Sequence, residues 1–78
     1  MYPKVKSVQP IDNYRIIVEW VTSERRIFDV KPYLIGSWYS QLLDVTKFNT
    51  VHPCGSTVEW FGGQDIAPHE LYELSSAE

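Results

Sequence analysis

Val58-Glu59-Trp60-Phe61-Gly62-Gly63-Gln64-Asp65-Ile66-Ala67-Pro68-His69-Glu70-Leu71-Tyr72 is the stretch whose reading decides the fold. A run rich in β-branched and aromatic residues stops at a glycine pair, which permits the positive φ of a tight reversal. Pro68 has the fixed φ that suits a first helical position. Glu70, Leu71, Tyr72 and Leu74 then supply a last turn or two. Strand, tight turn and short amphipathic helix give the C-terminal third a structural signature rather than a chemical one.

Outward from this stretch, the chain is mostly extended. Lys4-Val5-Lys6-Ser7-Val8-Gln9 alternates polar with apolar, which predicts a half-buried strand ended by Pro10, with Ile11-Asp12-Asn13 as a turn. Tyr14 to Val21 reads as a second strand, with Tyr14, Ile16, Val18 and Trp20 on the core face and Arg15, Ile17, Glu19 and Val21 on the other. Thr22-Ser23-Glu24 has hairpin length, and Arg25 to Val30 is the return strand. Pro32 stops the β pattern because it cannot donate to a ladder. A short helical turn over Lys31 to Tyr39, ended near Gly36, is expected next. Leu42, Val45 and Phe48 are spaced for one helical face, with Ser40 as its cap. Thr50-Val51-His52 resumes extension, Pro53-Cys54-Gly55 turns, and Ser56 to Phe61 is a further strand.

The order predicts an α+β fold: a small antiparallel sheet of about five strands, with short helices in the middle and at the C-terminus. The expected core is Val5, Val8, Ile16, Val18, Trp20, Phe28, Leu42, Val45, Phe48, Val58, Trp60 and Leu71. At 78 residues, one domain spanning 1–78 is expected, with a small core.

Three Trp, five Tyr and three Phe are more aromatics than such a core easily hides, and aromatics are the residues most enriched at interfaces. The lone Cys54 excludes an internal disulfide framework and fits a reducing cytoplasm. No apolar run approaches the length of a membrane span, and no signal-peptide core is present. The formal net charge is −3. Lys4, Lys6, Arg15, Arg25, Arg26 and Lys31 all fall in the first half of the chain, leaving Lys47 alone in the second. The low pI of about 5.2 argues against broad nucleic-acid affinity, which needs clustered cations.

Chemical sites are thin. His52 and Cys54 stand two apart with His69 remote, short of the four ligands of a structural zinc site, so no metal is expected. Cys54 lacks a marked base and oxyanion donor for nucleophilic work. Asp29 and Asp65 offer a carboxylate pair for acid–base chemistry, yet capping of the Pro32 turn and of the Pro68 helix start explains both. Gly62-Gly63 lacks the Lys and Ser/Thr of a phosphate loop. No cofactor is expected. Trp38 and Tyr39 read either as core or as an exposed aromatic anchor for another protein.

Three blocks resemble a known family. They are Lys4-Val5-Lys6-Ser7-Val8-Gln9-Pro10; the segment from Tyr14-Arg15-Ile16 through Arg26-Ile27-Phe28-Asp29-Val30-Lys31-Pro32-Tyr33-Leu34; and Trp60-x-x-Gly63-x-Asp65-Ile66-x-Pro68-x-x-Leu71-Tyr72. Together they are similar to the bacterial domain-of-unknown-function family 2442, over nearly the whole chain. The resemblance implies a small α+β domain, found alone or fused to a helix-turn-helix domain, and it marks Asp29, Pro32, Trp60, Gly63, Asp65, Pro68 and Tyr72 as motif residues. Stand-alone members are often encoded beside another small protein, which implies a toxin–antitoxin-like pair. No catalytic residue carries over. The chain departs from the usual pattern at Thr22-Ser23-Glu24, where many relatives have Asn-Gly-Glu. Ending at Glu78, it is expected to lack the fused DNA-binding module.

The function expected is a non-catalytic cytoplasmic interaction or regulatory module, its partner another protein such as the product of an adjacent gene, or a second copy in a homodimer. The alternatives are a DNA-associated regulatory subunit within a complex and an enzyme of unrecognised type.

Overall fold

Strict alternation in the second strand organises the molecule. Ile16, Val18 and Trp20 are wholly buried, while Arg15, Ile17 and Glu19 between them are only half-buried. The computed structural model describes residues 2–78. Strands β1 (Val5–Ile11), β2 (Arg15–Trp20) and β3 (Arg25–Asp29) form an antiparallel meander, and a two-residue strand β6 (Ser76–Ala77) closes it in the order β1-β2-β3-β6. Val8 opposes Val18, Ile16 opposes Phe28, and Ile17 opposes Ile27. A second, two-stranded sheet pairs β4 (His52–Cys54) with β5 (Thr57–Glu59). The fold is thus α+β and antiparallel as expected, with six strands shared between two sheets rather than about five in one.

Between β3 and β4 lie a 3-10 turn at Lys31–Tyr33, a 3-10 helix at Tyr39–Leu43, and the one-turn helix α1 (Val45–Phe48). Helix α2 (Pro68–Glu73) begins with Pro68 at its first position. It lies on the core face of the large sheet: Leu71 is fully buried, and the Tyr72 ring meets Trp20 edge-on at 5.1 Å. The β4–β5 hairpin docks on β1 through the Val5 N–H to the Gly55 carbonyl, 2.9 Å, and the Ser56 hydroxyl to the Tyr2 carbonyl, 3.0 Å.

Several local expectations need correction. Pro10 does not end β1; it pairs opposite Ile16, tolerated because β1 is an edge strand. Pro53 likewise lies within β4. Leu42, Val45 and Phe48 do not share one helical face, because Asp44 adopts an extended conformation and splits the segment. Asp44, not Ser40, caps α1, its Oδ1 accepting the Thr46 N–H at 3.0 Å. Leu42 and Phe48 are buried and Val45 is exposed. The other expected core residues are buried except Val8, which packs against the core half-covered; Val30, Leu34, Val51 and Ile66 join them. Tyr14 holds a φ of 57°, unusual for a bulky residue. Its hydroxyl donates to the Leu43 carbonyl at 2.6 Å and its ring packs edge-on against Phe48.

Candidate protein-docking surface

The surface begins with a tryptophan that the core does not absorb. Trp20 and Trp60 are 0% and 1% exposed, whereas Trp38 is 47% exposed. Leu34 and Leu42 are buried on either side of the segment that carries it. Gly36, at a φ of 85°, turns the chain between them.

Trp38 is nevertheless held. Its indole Nε1–H donates to the Gly62 carbonyl at 3.3 Å, and its own carbonyl accepts Nε2 of Gln64 at 3.0 Å. The other end of the Gln64 amide, Oε1, accepts the Gly62 N–H at 3.1 Å. Gln64 is fully buried, so one side-chain amide ties the Trp38 segment to the turn after β5. That turn closes through the Trp60 N–H to the Gln64 carbonyl, 2.8 Å, and the Gly63 N–H to the Trp60 carbonyl, 2.9 Å, with Gly63 at a φ of 84°. Gly62 is confined by the same amide: a Cβ there would come within 2.7 Å of Gln64 Oε1. Nothing in the sequence marked Gln64, which is the residue that builds this site.

From Trp38 the rings continue as a row. Trp38 lies 5.2 Å from Tyr39, Tyr39 6.4 Å from Tyr33, and Tyr33 5.6 Å from the buried Phe28. The Tyr39 hydroxyl donates to the Asp65 carbonyl at 2.7 Å. The Tyr33 hydroxyl donates to Glu70 at 2.7 Å, and burial followed by that hydrogen bond pushes it up to about 12. The row ends in an apolar groove of about 270 Å³ lined by Phe28, Asp29, Pro32, Tyr33 and Leu74. Leu74 is 65% exposed there. Only Arg26 and Ile27 of β3 pair with β6, so the groove opens where the edge of β3 runs beyond its cover.

Four of the seven motif residues, Asp29, Pro32, Gly63 and Asp65, fall around this row. Asp29 caps the 3-10 turn, its Oδ1 accepting the Lys31 N–H at 3.0 Å. Pro32 lines the groove, and Gly63 shapes the turn beneath Trp38. Asp65 departs from its expected part: α2 has no side-chain cap, and Asp65 contributes its carbonyl to Tyr39 instead. Trp60 donates its indole N–H to the Phe48 carbonyl at 2.9 Å in the core. Tyr72 donates to Glu24 under Arg26, whose guanidinium lies 4.7 Å over the ring and also reaches the Ser75 carbonyl at 3.0 Å. That hydrogen bond from Tyr72, with the one from Arg26, holds the Glu24 carboxyl below its ordinary range.

The other candidates stay apart. His52 bonds Glu59 at 3.2 Å, Cys54 is exposed, and His69 sits beside Glu70 on α2. No three His, Cys, Asp or Glu side chains among the described residues gather as an ion-binding group. The basic first half does not form an open cationic patch. Lys6 and Arg25 both face Glu19, Arg25 also pairs with Glu78, Arg15 with Asp12, and Arg26 with Glu24. No helix among the described residues is long and apolar enough to cross a membrane.

A family model described as a protein of unknown function (DUF2442) matches residues 5–77. The chain belongs to that family. The match spans every strand and helix of the fold, so the aromatic row of this DUF2442 chain is built entirely from family territory. No curated protein and no solved structure matches it.

Proposed function

We propose that this DUF2442 chain is a non-catalytic docking module that works in the cytoplasm and binds a partner protein along the row from Trp38 to the Phe28–Leu74 groove. The observation that carries the reading is a tryptophan 47% exposed yet fastened at its ring, its carbonyl and its neighbouring turn. An aromatic fixed before binding loses little conformational freedom on association, and Trp and Tyr dominate interface energetics. The groove at the far end of the row is large enough for one apolar side chain, and the uncovered end of β3 offers backbone groups to an extended segment. The lone, exposed Cys54 suits a reducing compartment.

The partner is the product of the neighbouring gene that the family resemblance implies, in an antitoxin-like pairing. Co-expression of the two chains, with a tag on one, is expected to yield a stoichiometric complex that Trp38→Ala and Leu74→Asp each disrupt. A complex that both variants leave intact overturns the assignment of this surface.

A further inference from the structure

The face of the large sheet opposite the core carries a second surface, which shares Asp29 with the groove at the end of the aromatic row. Pairing places Ile17 of β2 beside Ile27 of β3 at its centre. On one side of this pair Glu19 opposes Arg25, and on the other Arg15 opposes Asp29. The four charges alternate in sign both along and across the strands: a checkerboard around two isoleucines. Successive rows lie about 7 Å apart and strands about 4.8 Å apart. Not one of these six residues is buried, so the face is open in the monomer. The rim extends the alternation, with Lys6 at 3.8 Å from Glu19, Glu78 at 2.6 Å from Arg25, and Asp12 at 3.1 Å from Arg15.

A checkerboard of this kind is its own complement. A two-fold axis lying in the interface and across the strands sets Glu19 over the second copy's Arg15, and Arg25 over its Asp29. An axis along the strands sets Glu19 over Arg25, and Arg15 over Asp29. Either way the isoleucines of the two copies meet at the centre and every corner faces its opposite charge. A surface of one sign would instead call for a different partner. We infer that the occupant of this face is a second copy of the same chain, packed sheet to sheet across a two-fold axis. The isoleucine pair supplies the apolar centre and the corners supply register and specificity. The footprint, roughly 19 Å by 17 Å from strand spacing and rise, gives about 650 Å² over the two copies, below the range of stable interfaces, so the dimer is weak and concentration-dependent.

The test is sedimentation equilibrium on three proteins, with circular dichroism to verify their folds. Wild type is expected to self-associate weakly, with dimer appearing as the concentration rises toward about 1 mM, as for an interface of this size. An all-acid face, Arg15→Glu with Arg25→Glu, and a face stripped of its acids, Glu19→Lys with Asp29→Asn, are each expected to be monomeric alone and to associate when mixed. Asparagine at 29 keeps an oxygen for the Lys31 N–H. Ile17→Lys, which puts like charges at the centre, is expected to weaken self-association about 30-fold or more without unfolding an exposed strand face. Wild type that stays monomeric at about 1 mM, variants that fail to associate when mixed, or an all-acid variant that still dimerises overturns the inference. Trp38→Ala is expected to leave the dimer unchanged; its loss in that variant would place self-association on the aromatic row instead.

Discussion

Gln64 decides how Trp38 is presented. Its amide serves the Trp38 carbonyl and the Gly62 N–H at once, from a fully buried position. Gln64→Leu keeps the bulk but leaves both backbone groups without that partner, so a loss of about 1–3 kcal/mol in urea unfolding is expected. Acrylamide quenching gives a second readout: with Trp20 and Trp60 buried, the quenchable emission in wild type belongs to Trp38, and its accessibility should rise in Gln64→Leu. Tyr33 makes a prediction in pH. Its hydroxyl titrates near 12 in the folded state against an ordinary 10.0, so the folded chain holds its proton where the unfolded chain releases it. The stability this contributes is whole below pH 10 and lost as pH rises toward 12. Tyr33→Phe should flatten the fall of melting temperature with pH across that window. At this scale the sequence is uneven to read. Trp60, inside a β-branched and aromatic run, announces burial. Gln64, between glycine and aspartate, reads as a turn residue, because only the returning segment at Trp38 gives its amide something to hold.

Capping separates two elements that spacing alone joined. Leu42, Val45 and Phe48 fit one helical face on paper, but Asp44 is extended and begins α1 afresh. Asp44→Ala is therefore expected to cost about 1 kcal/mol, as for a lost N-cap. Ser40→Ala should cost a few tenths at most, because Ser40 donates only to the Ser37 carbonyl, at 3.2 Å, on the exposed side. Thermal melts of both variants check the contrast. The β2–β3 hairpin was legible because alternation and register impose one another: shifting either strand by a residue would turn Ile16, Val18 and Phe28 to solvent. Strand β6 was not, since two residues carry no pattern. Nor was the continuation of β1 through Pro10, which depends on that strand having only one neighbour in its sheet.

For the molecule as a whole, the distribution of charge argues against phosphate-rich partners. Four of the six basic residues in the first half are matched by acids within the chain. Little cationic surface is left for displacing counterions from phosphate. No binding of the isolated chain to duplex DNA is expected near physiological salt; submicromolar affinity falling steeply with salt would show otherwise. The α+β class and most of the core followed from hydrophobic spacing. The proposed docking surface did not, because it joins segments 28–33, 38–39 and 62–65 with Leu74, whose proximity is a property of the folded chain. Only Trp38 and Tyr39 were legible, as residues that read either as core or as an exposed anchor. The decisive measurement is a calorimetric titration of the purified neighbouring-gene product into wild type and Trp38→Ala, each first shown to be folded. Loss of at least about 2 kcal/mol of binding, roughly 30-fold, is predicted for the variant. Its melting temperature should fall far less than the 3–5 kcal/mol loss of a buried tryptophan would imply. Equal affinities, or a variant destabilised as severely as Trp60→Ala, would contradict the account.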